Sequence, residues 1–452
     1  MSPQAEEVVV AIPKAGSMPL AELEAFLEPF GGLVRRSESR EAMERYATGL
    51  LSDLSRKTAS DMGRAIPGTN GQRLQEFLTN TPWSSEAMDE LRIRYMGEYA
   101  AVGDGVVVID DTGLLKKGRQ SVGVGRQYSG TLGRVDNCQV VVTAHYVDRV
   151  FDWPINARLY LPRAWAEDRE RRKRARVPEG VEFQTKGEIG LALLDQARCA
   201  GLEPRAVVAD AGYGDQPPFT GGLEARGLAY LVAVGSALRF RSAEAVAEDS
   251  GDVSPRPYRG KGRPRKATTL EDRIPTQTAE GLLDALPDEA WRAVAWRRGT
   301  RGPLVKLAAR IRVFRSGTRG RHLPSEVWLI GERPFPGRQG DHKFYLAWGL
   351  DALSLEDLLE MAHVRWIIER FYQDAKGELG FDDYEGRLWP GLHRHLALVM
   401  VAHSFLTLRQ SYGPETTGPP GSPADPTDPP PPARGFPPTG SEKHPRTAPA
   451  CP

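Results

Sequence analysis

Gly105–Val106–Val107–Val108–Ile109–Asp110–Asp111–Thr112–Gly113 is the stretch on which the reading of this chain turns. Four consecutive β-branched residues, with no polar residue among them, are the pattern of a strand buried on both faces. The apolar run stops at Asp110, which predicts two carboxylates at the strand's carboxyl end. A second run, Ala206–Val207–Val208–Ala209, also stops at an acid, Asp210, followed by Ala211–Gly212–Tyr213–Gly214. Ligands of open α/β sheets bind beyond the carboxyl ends of strands. Two carboxylates converging there make a hard-oxygen site suited to Mg²⁺ or Mn²⁺. Either aspartate alone reads first as a turn residue. Side-chain alternation sends Asp110 and Asp111 to opposite sides, so one of the two is expected to ligate metal.

Outward from these runs, further strands are predicted at Cys138–Ala144, Ala157–Leu161 and Leu228–Val234, with a helix over Lys186 to Ala200. This mixture predicts an α/β fold. The first hundred residues read as helical: Leu20, Leu23, Phe26 and Leu27, then Met43, Tyr46, Leu50 and Leu51, recur at helical spacing. The basic pairs Arg35–Arg36 and Arg56–Lys57 fit a small DNA-binding domain, and equally a plain bundle with solvated charges. Glycine, proline and arginine dominate residues 236–345, with short strands at Val305–Phe314, Val327–Gly331 and Phe344–Trp348. A long helix is predicted from about Leu355 to Leu379 and another over Leu392 to Leu408. From Gly413 on, fourteen of forty residues are proline, and such a segment cannot bury a core. The expected plan is a helical 1–100, a core in two parts (101–235 and 346–412) split by a β-rich insertion at 236–345, and a disordered tail at 413–452.

The 452 residues carry a formal net charge of only +1, so partners must be read from local charge. Three cysteines, Cys138, Cys199 and Cys451, lie far apart without a C-x-x-C, which argues against a disulfide framework or a Cys-rich zinc site. No apolar run is long enough to span a membrane, and Glu6 and Glu7 do not suit a signal peptide. A cytoplasmic protein is expected. The histidines, among them His393 and His395, show no metal-ligand grouping and read as surface or packing residues. Arg171–Arg172–Lys173–Arg174 is a basic run with an even claim to solvent and to DNA. The segment Lys261–Gly262–Arg263–Pro264–Arg265 reads first as a non-specific contact to the DNA backbone, and second as an extended hook for an A·T-rich minor groove.

One late helix weighs on the acids. It reads Arg365–Trp366–Ile367–Ile368–Glu369–Arg370–Phe371–Tyr372–Gln373–Asp374–Ala375–Lys376. Steps of four and seven keep Arg365, Glu369 and Lys376 near one face. The ordinary reading is a surface ion-pair ladder. The functional reading puts Glu369 on a metal and the cations on phosphate oxygens.

With this helix in hand, the sequence resembles the insertion-sequence DDE transposases, in the branch with an R-x3-E-x6-K helix (the IS-four and IS-seven-oh-one groups). The resemblance extends over Ile109–Gly113 with Lys116–Lys117–Gly118, over Ser121–Val124, Arg126–Gly130 and Asn137–Gln139, over Val208–Gly214, and over Trp296–Gly302. It implies an RNase H-like catalytic core interrupted by the β-rich insertion, after the helical N-terminal domain. It implies catalytic, metal-binding acids at Asp111, Asp210 and Glu369, with Asp110 the alternative first acid; the family's acid precedes a threonine, which favours Asp111. Two Mg²⁺ or Mn²⁺ ions are the implied cofactors. Lys116, Lys117, Arg365, Tyr372 and Lys376 are the expected DNA contacts, together with Arg263 and Arg265 of the basic segment above. Double-stranded DNA, at transposon ends and target, is the implied partner of a homodimer associated with the nucleoid. The chain departs from the family at Ala362, where relatives carry a tyrosine three residues before the arginine. A catalytically inactive DNA-binding descendant and a metal-dependent nuclease of the same fold are the rival readings.

Overall fold

The computed structural model describes residues 21–99, 104–129, 133–148, 152–248, 274–299, 302–315 and 325–412. The expected DNA contacts Arg263 and Arg265 and the Pro-rich tail lie outside these residues. The chain divides into two compact units, Met1–Arg205 with Arg365–Pro452, and Ala206–Val364. Among the described residues no helix is long and apolar enough to cross a membrane.

The first unit combines helices with a four-stranded antiparallel sheet. Helices Ala21–Leu27, Ser37–Leu51, Ala59–Ala65, Gly71–Thr79 and Ser85–Gly97 precede it. Three of them open on side-chain caps: Thr58, Asn70 and Ser84 accept from the backbone N–H of Asp61, Arg73 and Ala87. The strands are β1 (Val106–Leu115), β2 (Gly125–Ser129), β3 (Arg134–Val147) and β4 (Asp152–Tyr160). One edge of β3 pairs with β1, and the other pairs first with β2 and then with β4. Helices Arg163–Ala166, Arg169–Arg174, Lys186–Cys199, Trp366–Glu378 and Trp389–Tyr412 follow the sheet in the chain. The last of these packs on β4 and on three of the N-terminal helices, so its sequence is apolar almost all round, from Leu392 to Leu408.

The strand predicted at Val106–Ile109 continues through both aspartates to Leu115. The helix predicted from Leu355 to Leu379 is two helices, Leu355–His363 and Trp366–Glu378. The predicted Lys186 helix is present and begins on a capping box between Thr185 and Glu188.

The second unit holds β5 (Ala206–Ala209), β6 (Tyr230–Val234), β7 (Arg239–Ser242), β8 (Gln277–Thr278), β9 (Arg292–Gly299), β10 (Gly302–Arg315), β11 (Glu326–Arg333) and β12 (Lys343–Trp348). β5 and β6 are parallel, joined through helix Pro217–Ala225. The remaining strands are antiparallel, in the order β6-β12-β11-β10-β7-β8, with β9 also on β10. The mixed α/β class expected from the sequence is therefore present.

A buried carboxylate anchors this second unit. The Glu332 side chain is fully buried, and its two oxygens accept from Lys306 Nζ and, at 2.7 Å, from His363 Nε2. Tyr345 donates to it at 3.3 Å, and Trp296 stacks on the His363 ring at 3.8 Å. Burial pushes the Glu332 carboxyl up, but the His363 and Lys306 donors overcome it and hold the group at about 2. A depressed carboxylate adds stability above its unfolded value, and that stability is lost as pH falls towards the folded value. We expect thermal melts of the wild type to lose stability between about pH 4.5 and pH 2, and a Glu332→Gln variant to show a weaker dependence there. An identical pH dependence in the two proteins would remove Glu332 as the cause.

Candidate active site

Partners show which way the β1 side chains point. Asp110 and Thr112 face the Trp366–Glu378 helix: Arg365 Nη1 donates to Asp110 Oδ2 at 3.0 Å, and Lys376 Nζ donates to Thr112 Oγ1 at 2.7 Å and to the Gly113 carbonyl at 3.1 Å. Asp111 lies on the other face, where Lys186 Nζ donates to its Oδ2 at 2.7 Å. The expected alternation of the two acids is present. Asp110 also accepts from the backbone N–H of Asp111 at 2.8 Å.

Arg365 is a bridge. Its second nitrogen, Nη2, donates to Glu369 Oε1 at 2.7 Å, so one guanidinium holds Asp110 and Glu369 together. The Asp110 side chain is only 11 % exposed and that of Glu369 is 58 % exposed. The exposed branch contributes little to stability, about 0–1 kcal/mol. The sheltered branch fixes the guanidinium, and Arg365 is the residue at which the second helix starts.

The stripe read from sequence lands on the sheet. Arg365, Tyr372 and Lys376 all meet β1 or β3, with Tyr372 sharing a 2.5 Å hydrogen bond with Thr143. Burial drives the Tyr372 phenol well above its ordinary range, with Asp110 adding to it. Tyr372 is therefore a packing residue in this arrangement, with its hydroxyl turned into the sheet. Burial also lowers the pKa of Lys376, opposed by Asp382. Lys116 donates to the carbonyls of Asp382 (3.3 Å) and Tyr384 (2.7 Å), while Lys117 is exposed.

Lys186 was not singled out from the sequence. A signal was present: a cation in the first turn of a helix opposes the dipole, where an acid is normally favoured. The Asp111 carboxylate compensates for that placement.

In the second unit, Asp210 directly follows β5 and opens the short helix Ala211–Gly214. Its carbonyl accepts from the N–H groups of Tyr213 (3.1 Å) and Gly214 (2.8 Å). Gly214 is required there, because a Cβ would collide with the carbonyl oxygen of Ala233 on β6. Buried Tyr213 packs on Phe219, ring centres 5.3 Å apart. Backbone and packing thus fix the residue that carries the carboxylate.

His393 and His395 are packed into the interior. His395 is buried and its pKa is pushed down to about 4 by that burial. Being neutral, it donates from Nε2 to the Gly380 carbonyl (3.0 Å) and accepts at Nδ1 from Tyr46 (2.8 Å). His393 is buried against Trp389. Of the surface and packing roles expected for both, packing is the one observed.

The candidate acids are hard-oxygen donors of the kind Mg²⁺ takes. Among the described residues, however, no three His, Cys, Asp or Glu side chains are grouped so as to hold an ion. Asp111 and Glu369 are engaged by Lys186 and Arg365 instead.

The profile of the DDE superfamily endonucleases matches residues 26–303. The chain is also 33 % identical over 199 residues to a protein of Microchaete diplosiphon described as a probable transposase for insertion sequence element IS701. That alignment covers 44 % of this chain and half the length of the relative. The profile match includes Asp110, Asp111 and Asp210 and ends before Arg365 and Glu369. With more than half its length matched, the chain belongs to the DDE superfamily endonucleases.

Proposed function

We propose that this protein is a DNA transposase that cuts the ends of an insertion sequence and joins them to target DNA. The observation that carries the reading is Arg365 held between Asp110 of β1 and Glu369, with Lys376 on the same strand at Thr112. An acid on a helix, flanked by two cations that the sheet fixes in place, suits a polyanionic substrate better than a solvated ladder does. The similarity to an insertion-sequence transposase supports the same reading.

In this proposal Asp111, Asp210 and Glu369 would hold two Mg²⁺ or Mn²⁺ ions, whose chemistry is to activate the attacking oxygen and stabilise the leaving one. The chain's own part is to free those acids. Lys186 and Arg365 pair with Asp111 and Glu369 before DNA binds, and phosphate oxygens are the natural competitors for both cations. Lys116, Lys117, Arg365 and Lys376 are the proposed phosphate contacts. Work on two ends implies a homodimer on duplex DNA in the nucleoid.

The test is purified protein, Mg²⁺ and labelled duplexes from the DNA flanking the chain's own coding sequence. We expect cleavage at a defined end and joining to a second duplex. Binding without cleavage would leave an inactive DNA-binding descendant, and cleavage without joining a nuclease. The first acid is settled in the same assay. Asp111→Asn should abolish cleavage. Asp110→Asn, which weakens only the anchor of Arg365, should slow it by about 10-fold. The reverse pattern would make Asp110 the first acid.

A further inference from the structure

Four large apolar side chains stand out as exposed among the described residues: Leu115 (50 %), Tyr128 (58 %), Val135 (50 %) and Leu304 (43 %). Three of them sit on the adjoining strands β1, β2 and β3. Tyr128 and Val135 are directly opposite each other, and Arg126 is opposite Asn137, so these four side chains share one face. Pairing of β3 with β1 starts only at Cys138, and with β4 at Val140. Gly125–Ser129 and Arg134–Asn137 therefore form a two-stranded ribbon outside the main sheet. Half or more of Tyr128 and of Val135 stays exposed on that ribbon.

Charge indicates what would cover it. Between Lys116 and Asn137 lie five cations, Lys116, Lys117, Arg119, Arg126 and Arg134, against one acid, Asp136. That acid is already paired with Arg134 at 3.2 Å. Arg119, Arg126 and Arg134 are exposed. Asn137 donates from Nδ2 to the carbonyls of Lys116 and Gly118, which ties the basic loop after β1 to the root of the ribbon. Exposed apolar side chains rimmed by polar groups mark an interaction site. A second copy of the same surface would bring like charges together, whereas duplex DNA supplies phosphates for the cations and base and sugar edges for the apolar pair. Two strands lie about 5 Å apart, and a ribbon of that width enters the major groove, about 12 Å wide.

We propose that the β2–β3 ribbon is a DNA-docking element distinct from the acid-bearing helix. Tyr128 and Val135 enter a groove of duplex DNA, and Arg126 and Arg134 neutralise phosphates on either side. The proposal rests on the reading of the protein as a DNA-cutting enzyme.

The experiment compares wild type with Tyr128→Ser/Val135→Thr and with Arg126→Ala/Arg134→Ala. The probe is a fluorescein-labelled 60-base-pair duplex from the DNA flanking the coding sequence, titrated at several salt concentrations. Circular dichroism melts check that each variant folds. The apolar pair variant should bind about 10-fold more weakly with an unchanged salt slope. The arginine variant should lower the slope of log K against log salt by about two. Equal affinity and slope in folded variants would overturn the proposal. So would a wild-type dimer that the apolar variant turns into monomer without loss of DNA affinity, since the patch would then be a self-interface. Mg²⁺-dependent cleavage by the wild type tests the underlying reading separately: a wild type that cuts, with variants that bind equally well, sinks only the ribbon.

Discussion

Asp210→Asn is expected to lower Mg²⁺-dependent cleavage of end DNA by at least about 10³-fold while leaving DNA affinity within about 2-fold of wild type. Removing a metal-ligating carboxylate withdraws several kcal/mol of transition-state stabilisation, and each 1.36 kcal/mol is about a factor of ten. Asparagine has nearly the same shape. The turn at this position is held by the Asp210 carbonyl, by Gly214 against β6 and by buried Tyr213, none of which the substitution touches. No side-chain cap bond is lost either. A fall in activity with an unchanged melting curve would therefore report on the carboxylate's charge. Glu369→Gln should behave likewise, although its exposed carboxylate also loses the pair with Arg365. Cleavage that survives Asp210→Asn at a comparable rate would sink the assignment of Asp210. Loss of binding together with cleavage would mean that the residue positions DNA and not metal.

Asp210 was legible from sequence because the pattern that marks it is local. An apolar strand runs into it, and a turn of small residues follows. The acids of β1 were harder. The strand was expected to end at Ile109, since two adjacent aspartates inside a strand carry a desolvation cost. It continues to Leu115 because Arg365 and Lys186 supply the compensating charge, one to each face. Those partners are 255 and 75 residues away, and no window of the sequence joins them to β1. The long helix after Leu355 shows the same limit. No proline or glycine marks the break between Leu355–His363 and Trp366–Glu378, so apolar periodicity alone read straight through it. Arg365, where the second helix begins, is anchored to a distant strand. The exposed ribbon was legible only as a motif. Its significance appears once the register shows that Tyr128 and Val135 are neighbours that both stay half or more exposed.

The largest effect on stability is expected from Arg92→Ala, at about 3–5 kcal/mol. The Arg92 side chain is fully buried in helix Ser85–Gly97. Its guanidinium donates to the carbonyls of Pro154 and Ile155 on β4, to Ser404 Oγ of the last helix at 3.2 Å and to Asp89 Oδ1 at 3.1 Å. One side chain thus joins an N-terminal helix, a strand and the C-terminal helix of the first unit. Truncation leaves two strand carbonyls without this donor and Asp89 buried without its cation. Burial already raises the Asp89 carboxyl to about 6 even with Arg92 beside it. Without Arg92 the folded pKa should rise further. A raised carboxylate weakens the fold at pH values above its unfolded value, near 4, and the penalty shrinks as protonation sets in on lowering pH. Denaturant unfolding of Arg92→Ala should therefore recover stability relative to wild type as pH falls from 7 to about 6, where wild-type Asp89 begins to protonate too, by up to about 1.4 kcal/mol per pH unit. Arg92→Ala/Asp89→Ala should be more stable than Arg92→Ala alone at pH 7 and show less of that recovery. If the double variant is no more stable and the pH dependence is flat, the cost lies in the uncovered carbonyls and the lost packing. In that case the ion pair contributes nothing to holding the three elements together.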